Sequence, residues 1–258
     1  MASRPQTPRD GLAWITGAGT GIGKAVVLEL VSRGWRVAVT GRTESVLAEL
    51  AASAPGKIVV MPGDVTNPAA MAVIVETIER DHGPIALAFL NAGMATYISA
   101  PEIDLAAVRR IYDVNVMGAF NCLAALFPRM AKRAGGQIAV CASTAGYGGL
   151  PRAAAYSSTK AALINAMTAF RFDGERLGIL VQVVNPGFVD TPMTKTNDFP
   201  MPFMIAPDVA AKACVDGFER RGFEIIFPKR LAYILKFANL LPYPAYFWLI
   251  SKVTGAGK

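Results

Sequence analysis

The segment Tyr156-Ser-Ser-Thr-Lys160 holds the residues whose types and spacing say most about chemistry. Tyr156 and Lys160 stand four apart, so on a helix their side chains share a face. A free phenol has a pKa of about 10 and is a poor base at neutral pH. An ammonium beside it stabilises the phenolate and lowers that pKa. The two together then move a proton to or from an alcohol oxygen. Alone, such a pair is more often incidental surface or core. Two further polar residues join it. Ser143 lies thirteen residues upstream, in Cys141-Ala-Ser-Thr-Ala-Gly146, where its hydroxyl can hold a substrate oxygen near Tyr156. Asn115, in Asn115-Val-Met-Gly118, precedes Ser143 by twenty-eight. The single histidine, His82, stands in Asp81-His-Gly-Pro84 and reads as a turn residue rather than a base or ligand.

A second constellation sits near the start of the chain, in Thr16-Gly-Ala-Gly-Thr-Gly-Ile-Gly23. A strand pattern precedes it and a helix pattern follows. In that setting Gly17, Gly21 and Gly23 give a tight turn, a close backbone approach to a pyrophosphate and close helix–strand packing. The amides around Thr20, Gly21 and Ile22, with the positive helix end, favour a diphosphate. Dinucleotide binders that take NAD usually place an acid after the second strand for the ribose 2′-hydroxyl. Here the chain reads Val39-Thr-Gly-Arg42-Thr43, with Gly41 in the acidic slot. A guanidinium pairs naturally with phosphate, so Arg42 points to the 2′-phosphate and to NADP(H) over NAD(H). The alternative is an arginine stacked on adenine without choosing, which leaves NAD(H) open. Gly63-Asp64-Val65 and Asn91-Ala92-Gly93 follow the third and fourth predicted strands. Asn185-Pro186-Gly187-Phe188-Val189-Asp190-Thr191 follows the sixth and can reach a nicotinamide carboxamide. All lie at the carboxyl ends of strands, where open parallel sheets bind their ligands.

These residues need a scaffold, and the pattern supplies one. Short Val/Ile-rich runs at 12–16, 36–40, 57–61, 87–90, 137–142, 180–184 and 224–227 lack polar alternation. Strands buried on both faces read that way. Helical spacing fills 23–33, 45–52, 68–81, 105–133 and 154–177, so β-α-β units follow. The expected fold is α/β, a single-domain Rossmann-type doubly wound parallel sheet of about seven strands with helices on both faces. Residues 1–11 read as a loose arm and 12–258 as one dinucleotide-binding and catalytic domain. Within it, 192–222 is the expected substrate lid and 229–258 a basic, apolar C-terminal extension.

Composition narrows the class. Of 258 residues, 53% are hydrophobic and only 17% charged, which excludes a disordered chain. Lys plus Arg, 26, less Asp plus Glu, 19, gives +7. The excess gathers in Lys229, Arg230, Lys236, Lys252 and Lys258, with no acid from 229 onward, so a nucleic-acid partner is not expected. Cys122, Cys141 and Cys214 have no ligand-like spacing, so neither a disulfide framework nor a metal site is expected and a reducing cytoplasm fits. No signal-type apolar run opens the chain. The greasy stretch 238–250 is too short to span a bilayer and carries Pro242 and Pro244.

Taken in order, the glycine loop, Asn-Ala-Gly, Asn115, Ser143, Tyr156-x-x-x-Lys160 and the Pro-Gly loop resemble the short-chain dehydrogenase/reductase family over Thr16 to Thr191. The resemblance implies that Tyr156 is general acid in reduction and general base in oxidation. It implies that Lys160 lowers the tyrosine pKa and holds the nicotinamide ribose, that Ser143 orients the carbonyl, and that Asn115 holds a helix kink and a relay water. It implies that Asp64 and Val65 hold the adenine, that Asn91 and Gly93 brace the sheet, and that two copies pair through the helices carrying Asn115 and Tyr156, giving a homodimer or homotetramer. The small-molecule substrate is then a carbonyl or secondary alcohol. Met193, Phe199, Met201, Phe203, Met204 and Ile205 give it an apolar wall, or else pack as a loop on their own core. Pro228 to Leu241 and Tyr243, Tyr246, Phe247 and Trp248 read as cover for the cleft or a subunit contact; the alternative is a peripheral membrane contact. The rival to an enzyme is a non-catalytic dinucleotide sensor on the same fold.

Overall fold

The computed structural model describes residues 3–254; Met1 of the expected arm and Lys258 of the basic tail lie outside them. Seven parallel strands form one sheet in the order β3-β2-β1-β4-β5-β6-β7. They are β1 Leu12–Thr16, β2 Val37–Thr40, β3 Ile58–Val60, β4 Ile85–Leu90, β5 Gly136–Cys141, β6 Ile179–Pro186 and β7 Glu224–Phe227. Every residue of β1, β2, β4, β5 and β6 is buried, while the edge strands β3 and β7 are only partly covered. That explains the unbroken Val/Ile runs: both faces of the inner strands meet helices.

Two helical layers supply that cover. On one face α1 (Gly21–Ser32), α2 (Glu44–Ala52) and α7 (Pro207–Phe218) pack through Val26, Leu30, Leu47, Ala211 and Phe218. On the other, α3 (Pro68–Asp81), α5 (Gly118–Lys132) and α6 (Ala154–Leu177) pack through Ile74, Ile78, Leu126, Leu163 and Met167. Strand order reverses between β1 and β4. The connections that leave those two strands part to opposite faces, and the gap between them is where an open parallel sheet takes its ligand.

Three expectations change. The helical stretch predicted over 105–133 is α4 (Leu105–Tyr112) and α5 joined by a π turn, Asp113–Met117. The wider turn holds one more residue than an α turn, which brings Asn115 into the interior, where it is wholly buried. The segment expected as a loose arm is tied down from residue 3. Asp10 takes an ion pair from Arg4 at 2.6 Å and hydrogen bonds from the Thr7 backbone and hydroxyl at 2.8 Å. The Gln6 amide donates to Gln137 Oε1 at 2.8 Å. The cause is a polar pair inside the sheet: buried Gln137 also donates to Gln182 Oε1 and to the Phe218 carbonyl, and its own acceptor needs a donor that the arm provides. Finally, 192–222 is not one lid. Only its first part lines the cleft, while α7 lies against α1, with Arg33 joining Asp216 and Glu219 across them.

The chain ends in α8 (Lys229–Asn239) and α9 (Tyr243–Thr254). Glu224 at the start of β7 fixes α8 in place. It accepts from Tyr147 Oη and Asn185 Nδ2, each at 2.7 Å, and pairs with Lys236. Burial alone would raise the Glu224 carboxyl; the bonds from Lys236, Tyr147 and Asn185 outweigh it and hold the group below its ordinary 4.5. A carboxyl depressed in the folded state adds stability above its unfolded pKa and loses that contribution as pH falls through the folded one. Glu224→Gln, which removes the charge and keeps the shape, should cost about 1–2 kcal/mol in urea unfolding at pH 7. The gap to the parent protein should close as pH drops below 4.5; a gap that persists at acid pH would remove the charge as its cause.

Candidate active site

A cleft of about 1950 Å³ opens over the carboxyl ends of the central strands. One end is the glycine turn. Gly17 has φ of +65°, and a Cβ there would sit 2.8 Å from Ala92 Cα. A Cβ on Gly23 would sit 2.2 Å from the Gly17 carbonyl oxygen and 2.6 Å from Asn91 Nδ2. Turn, helix and Asn91 are therefore in direct contact. Asn91 Nδ2 donates to the carbonyls of Gly17 (3.2 Å) and Thr16 (3.3 Å). Thr16 Oγ1 in turn accepts from the backbone amides of Asn91 and Ala92, both at 3.1 Å. Asn91 thus braces the turn itself.

This end fits a dinucleotide. No side chain caps α1: Thr20 makes no capping bond, and the first turn carries no acid. Its amides and positive end face the cleft that Gly17, Thr20, Gly21 and Ile22 line, which suits a diphosphate. Gly23 is buried beneath them and does not line the cleft, so it serves as a packing residue. Arg42 is exposed at the rim and lines the same cleft, with no acidic side chain paired to it among the described residues. Asp64 and Val65 line it further along; Asp64 Oδ1 holds its own loop through the Thr66 amide and hydroxyl, both at 2.9 Å.

At the other end, β5 and α6 bring Ser143, Tyr156 and Lys160 to one wall. Lys160 is almost wholly buried, and its Nζ donates to the Cys141 carbonyl at 2.9 Å. The same Nζ lies 5.7 Å from the Tyr156 ring centroid. Burial lowers the Lys160 pKa and the nearby Cys141 opposes that. Burial also raises the Tyr156 phenol above its ordinary 10, against a hydrogen bond with Ser143 that lowers it. The expected depression of the phenol by Lys160 is therefore not what the protein alone shows. The ammonium is held toward the strand carbonyl, and desolvation of the phenol is the larger effect.

Asn115 stands behind this wall rather than in it. Its Oδ1 accepts from the Met94 amide at 2.8 Å; its Nδ2 donates to the Met94 carbonyl and to Thr159 Oγ1, both at 3.0 Å. It joins the loop after β4 to α6, next to Tyr156 and Lys160. Gly93 fits between, with Asn115 Oδ1 and Lys160 Nζ at 3.3 and 3.5 Å from the place a Cβ would take. The Pro186 carbonyl accepts from Ser143 Oγ at 3.4 Å, and the Gly187 amide donates to the Phe227 carbonyl at 2.7 Å. Beyond them Val189 and Thr191 line the cleft, and Thr191 lies against Gly21, closing the loop over the glycine turn.

The apolar wall is narrower than expected. Met193 and Phe199 line the cleft, whereas Met201, Phe203, Met204 and Ile205 do not. Ile205 instead bridges to Val189 as a short parallel pairing. Leu231 and Leu235, in the stretch expected to cover the cleft, line it, as does Phe188 of the loop after β6; sequence reasoning missed Tyr97 and Ile250, also in the lining. Tyr97 stacks edge-on with Phe199 at 5.4 Å, and burial raises its phenol. Arg152 reaches across to Asp198 at 2.9 Å, clasping the loop after β5 to the lid. Nothing around Tyr97 or Arg152 in the sequence marks them; the tertiary fold alone brings them in.

A glycine-turn cleft with a tyrosine and a lysine on its far wall defines a dinucleotide-dependent oxidoreductase. The comparisons agree: the model of the short chain dehydrogenase family matches residues 12–200, and the chain belongs to that family. It is 36% identical over 238 residues to an uncharacterized oxidoreductase of Myxococcus xanthus, covering 91% of this chain and 94% of that one. It is 30% identical over 219 residues to the ketoacyl reductase HetN of a Nostoc species, covering 82% and 76%. Among solved structures, a short-chain type dehydrogenase/reductase from Mycobacterium marinum matches with a TM-score of 0.76 at 27% identity, over 84% and 93%. A 3-ketoacyl-(acyl-carrier-protein) reductase from Brucella melitensis, complexed with NADH, shares the fold with a TM-score of 0.78 at 23% identity, over 84% and 96%.

Gly23→Ala should abolish dinucleotide binding in a fluorescence titration, because the methyl group meets backbone and a fixed amide rather than a flexible chain end. It should also lower stability by about 1–3 kcal/mol. Unchanged affinity in this variant would mean the glycine turn is not the diphosphate cradle.

Proposed function

We propose that the protein interconverts a lipophilic carbonyl compound and its secondary alcohol, with NADP(H) preferred over NAD(H). The observation that carries this is the placement of Ser143, Tyr156 and Lys160 on one wall of the cleft whose other end is the glycine turn. When bound, the nicotinamide supplies or accepts the hydride. In reduction the Ser143 hydroxyl donates to the substrate oxygen and holds it against Tyr156. The Tyr156 O–H then gives its proton to that oxygen as negative charge develops there. In oxidation the phenolate takes the proton back. The Lys160 ammonium would hold the ribose of the bound dinucleotide, and it supplies positive charge near the phenolate. Asn115 is a positioning residue, acting through Met94 and Thr159.

The reading of NADP(H) rests on Arg42, exposed on the rim where a 2′-phosphate would lie, and on the absence of an acid at Gly41. A lipophilic substrate is favoured by the lining of Tyr97, Phe188, Phe199, Leu231 and Leu235. A sensor without turnover would have no use for a buried lysine beside a half-buried tyrosine that lines the cleft. Two copies pair through the helices carrying Asn115 and Tyr156, α4 with α5 and α6, which show Leu105, Phe120 and Phe172 to solvent. Three buried free cysteines suit a reducing, cytoplasmic setting.

Tyr156→Phe should lower turnover on a carbonyl panel by about 10²–10⁴-fold or more, with dinucleotide affinity within a few-fold. Unchanged activity would refute the proton-transfer role. Arg42→Ala should weaken NADP(H) by about ten- to a hundredfold and NAD(H) far less. Equal losses for the two dinucleotides would sink the 2′-phosphate assignment.

A further inference from the structure

The last two helices carry apolar residues on both their inward and their outward faces. A helix on a soluble surface turns apolar residues inward and polar ones to water. In α8 the inward residues are Leu231, Ala232 and Ala238, while Ile234, Phe237 and, past its end, Leu240 face out. In α9 Tyr246 and Ile250 are buried, and Tyr243, Phe247 and Trp248 are exposed. Leu240 and Tyr243 are 82% and 76% exposed, high values for such large side chains. Phe237, Leu240, Tyr243 and Phe247 follow one another at spacings of three and four around the corner between the helices, and the rings of Tyr243 and Phe247 stack at 5.8 Å.

This face cannot turn away from water by rotating. The ion pair of Lys236 with Glu224 fixes α8 to β7, and Tyr246 Oη donates to the Gly149 carbonyl at 2.7 Å, fixing α9. Its charge has one sign. From 229 to 254 the chain has no acid, and Lys229, Arg230 and Lys252 are exposed. Lys252 Nζ stands 4.8 Å from the Trp248 ring centroid, with a long aliphatic stem along the apolar surface. Aromatic rings, exposed aliphatics and cations without anions are the chemistry of a headgroup boundary.

We propose that the outward face of α8 and α9 docks on an anionic lipid surface. A second copy fits less well, because a two-fold contact through this patch would set cations against cations. Docking also brings close to the lipid a helix that lines the cleft, since α9 contributes Ile250 and Val253 to its wall. That a substrate enters from the lipid rests on the oxidoreductase reading; the docking itself does not.

The experiment uses the whole chain with vesicles of phosphatidylcholine alone or mixed with phosphatidylglycerol. Trp14 and Trp35 are buried, so a change in tryptophan emission reports on Trp248. Mixed vesicles should sediment the protein and shift its emission to the blue, and added salt should weaken both. Replacing Lys229, Arg230 and Lys252 by Gln should weaken partition about fivefold for each charge removed. Phe237→Asp with Leu240→Asp should weaken it at least about tenfold while the thermal melt and dinucleotide binding stay as in the parent. Absence of sedimentation and of a blue shift would overturn the proposal, as would equal partition onto vesicles without anionic lipid. So would a blue shift without vesicles that grows with protein concentration alongside a doubled mass in light scattering, which assigns the face to a second copy. None of these readouts passes through turnover, so a failed vesicle experiment leaves the oxidoreductase reading standing, and an inactive enzyme leaves the docking standing.

Discussion

A buried ammonium organises the working half of this protein. Lys160 sits in the interior with the Cys141 carbonyl as its fixed partner, at the very end of β5. An unpaired charge in such a place is costly, so the strand end, the lysine and the helix that carries it must stay in register. Ser143 follows Cys141 by two residues and Tyr156 precedes Lys160 by one helical turn. A single charge–carbonyl bond therefore sets the distance between hydroxyl and phenol. The same constraint keeps the ammonium near the phenol without consuming its charge in an ion pair with a carboxylate.

The rest of the central fold supports that bond from behind. The π turn at Asp113–Met117 exists where Asn115 must reach inward, and Asn115 then ties Met94 to Thr159 on α6. On the other side of β4, Asn91 ties the same loop to the glycine turn. Three successive residues after β4, Asn91 to Gly93, thus connect the diphosphate end of the cleft to the lysine end. The two ends cannot shift independently, which is what a hydride transfer between two bound molecules requires of its scaffold.

How legible this was in the sequence follows from what each feature depends on. The strands could be read because burial on both faces leaves a composition signal in every inner strand. The glycine turn and the Tyr156–Lys160 pair could be read because each is local: a turn and a helix repeat fix their geometry within a few residues. The π turn could not, since 105–133 keeps helical spacing throughout and the extra residue is imposed by Asn115 finding partners on two distant segments. Nor could the docking of residues 3–11, although Gln137 and Gln182 in apolar strands were a visible clue that polar partners were needed. Tyr97, Arg152 and the split of 192–222 between cleft wall and core helix depend on contacts across the fold, and local pattern carries no trace of them. The protonation of Tyr156 is a similar case. Residue types alone suggested that Lys160 governs it, while the depth of the site makes desolvation the larger effect.

The substrate side obeys a different logic from the cofactor side. Around the glycine turn, backbone meets backbone, and the tolerance is a few tenths of an ångström. Around Tyr97, Phe199, Leu231 and Ile250 the walls are side chains from four separate segments, and the exposed Arg152–Asp198 pair links the segment of Phe199 to the loop after β5. An exposed pair of that kind contributes little stability, so the clasp can open at small cost. The C-terminal helices are the exception on this side, because Glu224, itself held by Tyr147 and Asn185, pairs with Lys236 of α8. One wall of the substrate end is therefore tied to the catalytic core, while an exposed ion pair and a ring contact hold the opposite wall. That tie keeps the C-terminal wall in register with the segment that carries Ser143, since Asn185 and Tyr147 join Glu224 to β6 and to the loop after β5.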